Sequence, residues 1–137
     1  MGSRTRAREQ ALQILYMMDF NNFTTQSALE LFRSHFETHE EEFGFIGKIV
    51  SGVTSNLKTI DENIEKHSDH WRLSRMPKID LNILRIGTYE LLHIPETPPS
   101  AVLNEAIELG KKFGESKSPA FINGILDQIF KQIRKAL

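Results

Sequence analysis

A chain of 137 residues with 39% hydrophobic and 26% charged side chains has the length of one domain with a real core, and too little for a large catalytic domain beside a binding module. No run nears the roughly 18 apolar residues that cross a bilayer, and the opening MGSRTR has neither the apolar stretch of a secretory signal nor the Ser or Thr that myristoylation needs where Arg6 stands. With no cysteine there is no disulfide, thiolate nucleophile or thiolate metal site, and the expected compartment is the reducing cytoplasm.

In chain order, Ala7, Ala11, Ile14, Leu15 and Met18 recur at three-and-four spacing, which predicts an amphipathic helix from about residue 4 to 20. The turn-prone NNFTTQ stops it, and Thr24 or Thr25 can cap a second helix carrying Leu29, Phe32 and Phe36. A third segment carries Phe43, Ile46, Ile49, Val50, Val53 and Leu57 and runs without an obvious breaker to Ile60 and Ile64. Gly44, Gly47 and Gly52 each weaken that helix by roughly 1 kcal/mol relative to Ala unless they permit close packing. Pro77 suits a first helical position, and Ile79, Ile83, Leu84, Ile86, Gly87 and Leu91 form the next apolar face before HIPETPPS ends it. Thr97 or Ser100 and the prolines then start a helix with Val102, Ala106, Leu109 and Phe113 inward, which ends at Gly114. Ser118 and Pro119 then open a last helix whose stripe is Ile122, Ile125, Leu126, Ile129 and Ile133. No alternating run between hairpin turns occurs, so the fold class is all-α with six to seven helices.

Enzyme motifs are missing. His35 and His39 lie one helical turn apart, but Phe36 breaks the H-E-x-x-H order of a zinc site, and His67 and His70 read as a solvated helix face. There is no G-x-S-x-G, P-loop or dinucleotide glycine pattern, and GESKS lacks the setting of a phosphate cradle. Neither a metal nor a cofactor is expected.

Charge is unevenly spread beneath the formal net of −1. Residues 22 to 70 hold nine acidic against four basic side chains, whereas residues 71 to 137 hold seven against ten. The first helix opens with RTRAR, although its N-terminus already carries about half a positive charge that cations oppose. Arg4, Arg8, Leu12 and Tyr16 share a stripe that drifts by only about 40° per four residues, so cations and an aromatic ring lie on one face. Arginine forks pair with phosphates and a tyrosine ring stacks on an unpaired base, a combination that suits single-stranded nucleic acid better than duplex. A short basic run also serves solubility alone. At the last helix, Lys117 and Ser118 precede a start rich in free N–H groups, with Phe121 in its first turn. The spacing from Phe121 to Ile125 favours a core role, with base stacking as the alternative.

The segments RTRAREQALQILYMMD, MPKIDLNILRIGTYELL, PPSAVLNEAIELGKKFG and SPAFINGILDQI, in this order and spacing, resemble the NusB (N-utilization substance protein B) family of bacterial antitermination factors over nearly the whole chain. The resemblance implies a non-catalytic, all-helical domain spanning 1–137, built of two small bundles at about 1–70 and 71–137. It further implies binding of boxA RNA in nascent ribosomal RNA transcripts, jointly with the ribosomal small-subunit protein NusE, within the antitermination complex of RNA polymerase. By position, the implied RNA face comprises Arg4, Arg6, Arg8, Tyr16, Asp80, Lys117 and Phe121. Asp80 would accept a hydrogen bond from a base amine or contact the partner, unless it is simply an acid placed at a helix start. Lys117 stands where family members can carry an acid, Gly110 where alanine is common, and RTRAR is sparser than a continuous arginine run. Two other readings are a module related to ribosomal RNA methyltransferases, for whose cofactor-binding sheet 137 residues leave no room, and a protein-only adaptor. Leftover apolar faces would also allow a homodimer.

Overall fold

Helix formation follows the punctuation of the chain. The computed structural model describes residues 2–69 and 71–136, and His70, one of the paired histidines, lies outside them. Seven α-helices succeed one another, with no strand among the described residues: α1 (Ser3–Phe20), α2 (Thr25–His35), α3 (Glu40–Ser55), α4 (Leu57–Lys66), α5 (Lys78–His93), α6 (Pro99–Phe113) and α7 (Ser118–Ala136). A short 3-10 turn, Leu73–Arg75, precedes α5. No helix among the described residues is long and apolar enough to cross a membrane.

The chain divides into two compact units, Met1–Ser55 and Asn56–Leu137. The boundary falls ahead of the position near residue 70 that the resemblance implies, because the segment 43–64 is two helices rather than one. Asn56 leaves helical geometry, and α4 beyond it packs on α5 and α7. Continuous apolar spacing cannot show that the partner of the stripe changes halfway.

In the first unit α1 packs mainly on α3, and α2 closes against both. Ala7, Ala11, Ile14 and Leu15 of α1 are buried with Ala28 and Phe32 of α2 and Ile46, Ile49, Val50 and Val53 of α3. The alanines let α1 approach closely. Thr24 caps α2, its hydroxyl accepting from the Ser27 N–H at 3.0 Å. Phe36 lies just past α2, exposed, and stacks on Phe32 with centroids 4.7 Å apart.

In the second unit α5 is the central element, packed against α4, α6 and α7. Every residue from Asp80 to Glu90 except Arg85 is buried, the pattern of a helix covered on all sides. Arg85 grips Asp61 of α4 with both arms of its guanidinium, Nε to Oδ1 at 2.9 Å and Nη2 to Oδ2 at 3.0 Å. Gly87 allows α7 to lie against α5: a Cβ there would stand 2.7 Å from Cδ1 of Leu126.

Candidate nucleic-acid interface

The start of α1 has no side-chain cap and no acidic residue in its first turn, so its positive end carries three arginines as well. Relief comes from α3, whose first turn is Glu40, Glu41 and Glu42. Arg6 forms an ion pair with the buried Glu42 while its own side chain stays half exposed. The guanidinium carbons of Arg4 and Arg8 stand 4.5 Å and 5.4 Å from the Phe45 ring centroid, within cation–π range. Phe45 thus organises the basic start.

The three arginines are not equivalent. Arg4 is exposed, Arg6 is shared with Glu42, and Arg8 is only 4% exposed. Arg8 lies one turn deeper, where α1 runs along α3, so its stem joins the core. The stripe Arg4, Arg8, Leu12, Tyr16 is therefore not one open face: its two middle members are buried. Tyr16 emerges at 38% exposure and meets Phe20 edge to face, centroids 4.9 Å apart. Twelve residues of helix separate it from Arg4, about 18 Å along the axis.

In the second unit the start of α7 is tied to the start of α5. The Ser118 hydroxyl donates to Asp80 Oδ1 at 2.8 Å and accepts from the Glu115 N–H at 2.9 Å. Asp80 is 4% exposed. Burial holds its carboxyl above the ordinary carboxylate range, the Ser118 hydrogen bond opposes this, and the charge of Glu115 adds to it. As folded, Asp80 turns no carboxylate to solvent; it stands in the first turn of α5, where an acid suits the helix dipole, and fixes α7. Lys117 is exposed just before α7 and Phe121 is half-buried in its first turn, the Phe121 N–H donating to the Lys117 carbonyl at 3.2 Å.

Phe121 has a neighbour that the apolar stripes do not reveal. Trp71, 50% exposed, meets it edge to face with centroids 5.7 Å apart. A turn holds the indole in place: the buried Ser68 hydroxyl reaches the Glu65 and Trp71 carbonyls, and the Trp71 N–H donates to the Ser68 carbonyl at 3.0 Å. Asp69 within the turn takes a left-handed conformation, φ 53°. The pair borders an open groove of about 780 Å³ that Lys66, His67 and Gln128 also line. The signal in the sequence is that the sole tryptophan belongs to no helical stripe. Among the described residues no group of three or more His, Asp or Glu is arranged to hold a metal ion. His35 Nδ1 instead lies 2.9 Å from the Ser34 hydroxyl and 3.0 Å from the Leu31 carbonyl.

The four N-terminal candidates thus belong to one unit and Asp80, Lys117 and Phe121 to the other. Each set joins a cation to an aromatic pair.

The family model described as the NusB family matches residues 5–131. The Transcription antitermination protein NusB of Desulfatibacillum aliphaticivorans is 44% identical over 135 residues, covering 98% of this chain and 94% of that protein. Among solved structures, NusB of T. maritima is similar with a TM-score of 0.84 at 30% identity, covering 98% of this chain and 97% of that one. A crystal structure of the antitermination factors NusB and NusE in complex with dsRNA gives a TM-score of 0.84 at 27% identity, covering 95% and 97%.

Proposed function

Because the chain belongs to the NusB family, we propose that it is a transcription antitermination factor that binds boxA RNA of nascent ribosomal RNA transcripts together with NusE. The observation that carries this reading is the full-length match to a protein named for transcription antitermination, joined to a fold shared with a NusB bound to NusE and RNA. The protein works in the cytoplasm by binding, without chemistry of its own, as a link between transcript, ribosomal protein and RNA polymerase.

Within this function the exposed residues make the contacts and the buried ones set them up. Arg4 and the half-exposed Arg6 meet phosphates, and Tyr16 with Phe20 offers rings to a base. Lys117 and Phe121 do the same at the start of α7. Arg8 and Asp80 act from beneath, Arg8 by bracing Phe45 under Arg4 and Asp80 by positioning α7 through Ser118. The aromatic pairs favour an unpaired strand, since bases in a duplex are already stacked.

A gel-shift titration with boxA-like RNA, its scrambled counterpart and a duplex form, each with and without NusE, tests the reading. Selective retention of the single-stranded boxA sequence, strengthened by NusE, is the expected result. Equal affinity for boxA and scrambled RNA with NusE present overturns it. Charge reversal of Arg4 and Arg6 separates an RNA factor from a protein adaptor: the former loses RNA and keeps NusE, the latter loses its protein partner.

A further inference from the structure

The groove beside Trp71 and Phe121 does not end at the aromatic pair. A second depression of about 320 Å³, lined by Lys131, Arg134 and Lys135 of α7, shares His67 and Gln128 with it, so the two form one channel along the helix. The chemistry changes along its length. One end offers Trp71, half in solvent, and Phe121. At the middle stand His67 and Gln128, which line both depressions, with His67 Nδ1 donating to the Asn63 carbonyl at 2.8 Å. The far end is cationic. Lys131 shares its charge with Asp127 at 3.0 Å, leaving Arg134 and Lys135 as the main positive groups.

Cations in the last turn of a helix complement its dipole, so Arg134 and Lys135 alone would carry no argument. What helix stability does not require is a channel leading from them, past the polar side chains of His67 and Gln128, to a half-exposed tryptophan. At the aromatic end Asp69 and Lys66 line the groove with opposite charges, so the excess of cations lies at the far end. Rings at one end, hydrogen-bonding groups between and cations at the other match a single strand, whose bases stack and whose phosphates follow a basic groove.

We infer that this channel is a track for single-stranded RNA, which carries the strand from Phe121 toward the end of α7, with a base on Trp71 and phosphates at Arg134 and Lys135. Thirteen residues of helix separate Phe121 from Arg134, about 20 Å. The track therefore takes nucleotides that flank the element bound elsewhere. It rests on the reading that the chain binds RNA.

Fluorescence anisotropy on the full chain tests it, with a minimal boxA-like RNA, the same RNA extended by eight unpaired nucleotides on either side, and a twelve-nucleotide oligouridylate. The variants are Trp71→Ala and the double variant Arg134→Ser/Lys135→Ser, each checked for unchanged helical circular dichroism. The parent chain should bind the extended RNA more tightly than the minimal one. Trp71→Ala should lose on the order of tenfold on the extended RNA. The double variant should lower the salt slope on the extended RNA by about 1.4 and leave the minimal RNA unaffected. Extension without gain, or variants that bind extended RNA like the parent, overturns the track while boxA selectivity can still stand. Loss of boxA selectivity with oligouridylate binding still dependent on Trp71, Arg134 and Lys135 removes the functional reading and keeps the track. Unchanged RNA binding with loss of NusE would make the channel a protein-docking face and overturn the inference as well.

Discussion

Ser118 shows how one hydroxyl can set the position of a functional helix. It donates to the buried Asp80 and accepts from the Glu115 N–H, so Ser118→Ala leaves an acceptor and a donor without their partner. The expected cost is about 1–3 kcal/mol, measurable by urea unfolding. Its pH dependence has a definite sign. The folded pKa of Asp80 lies above its ordinary value of 3.8, so the carboxyl favours folding when protonated, and that contribution is lost as pH rises from 3.8 through the raised value. The Ser118 hydrogen bond works against that rise, so it matters most to the ionised form. Ser118→Ala should therefore destabilise more at pH 7 than at pH 3; an equal loss at both would show that Asp80 is not the group it serves. In the first unit, Arg8→Ala should lower stability, whereas Arg4→Ala should lower RNA affinity and leave stability within about 0.5 kcal/mol. Sequence alone cannot separate those arginines. Both lie on one stripe of α1, and only the crossing of α3 decides which stem is buried.

Helices as elements were the most legible level, since each apolar stripe reports on its own segment. The stops at NNFTTQ, HIPETPPS and Gly114 all coincide with helix ends. The break at Asn56 was hidden because it lies between two stripes of the same period. Glycines divide in the same manner, being indistinguishable in sequence and opposite in packing. A Cβ at Gly44 of α3 meets nothing within 4 Å, so close approach does not explain this glycine. Gly44→Ala should stabilise by about 0.5–1 kcal/mol through helix propensity. A Cβ at Gly87 would press on Leu126, which is fully buried. Overpacking there costs about 1–3 kcal/mol against a propensity gain of up to about 1, so Gly87→Ala should be neutral to destabilising. Thermal melts of the two variants should move apart, with Gly44→Ala the higher; the reverse order would contradict the packing of α5 on α7.

For the molecule as a whole, the near-neutral charge limits how RNA can be held. The acidic stretch 22 to 70 is partly accounted for by Glu42, which pairs with Arg6, and by Glu40, which pairs with Arg33, so several charges of both signs are engaged internally. The exposed cations at the candidate contacts reduce to Arg4, Lys117 and the shared Arg6. Three phosphate contacts to a single strand give a slope of log affinity on log salt of about −2, and hence roughly a sixteenfold loss between 50 and 200 mM salt. Such a surface cannot select one transcript by charge; it needs ring stacking and a second protein to add contacts. The slope measured for this chain alone on minimal boxA-like RNA should stay near −2 and steepen when NusE is added. A slope beyond about −5 without NusE would require phosphate contacts that Arg4, Arg6 and Lys117 cannot supply, and would move the interface elsewhere on the molecule.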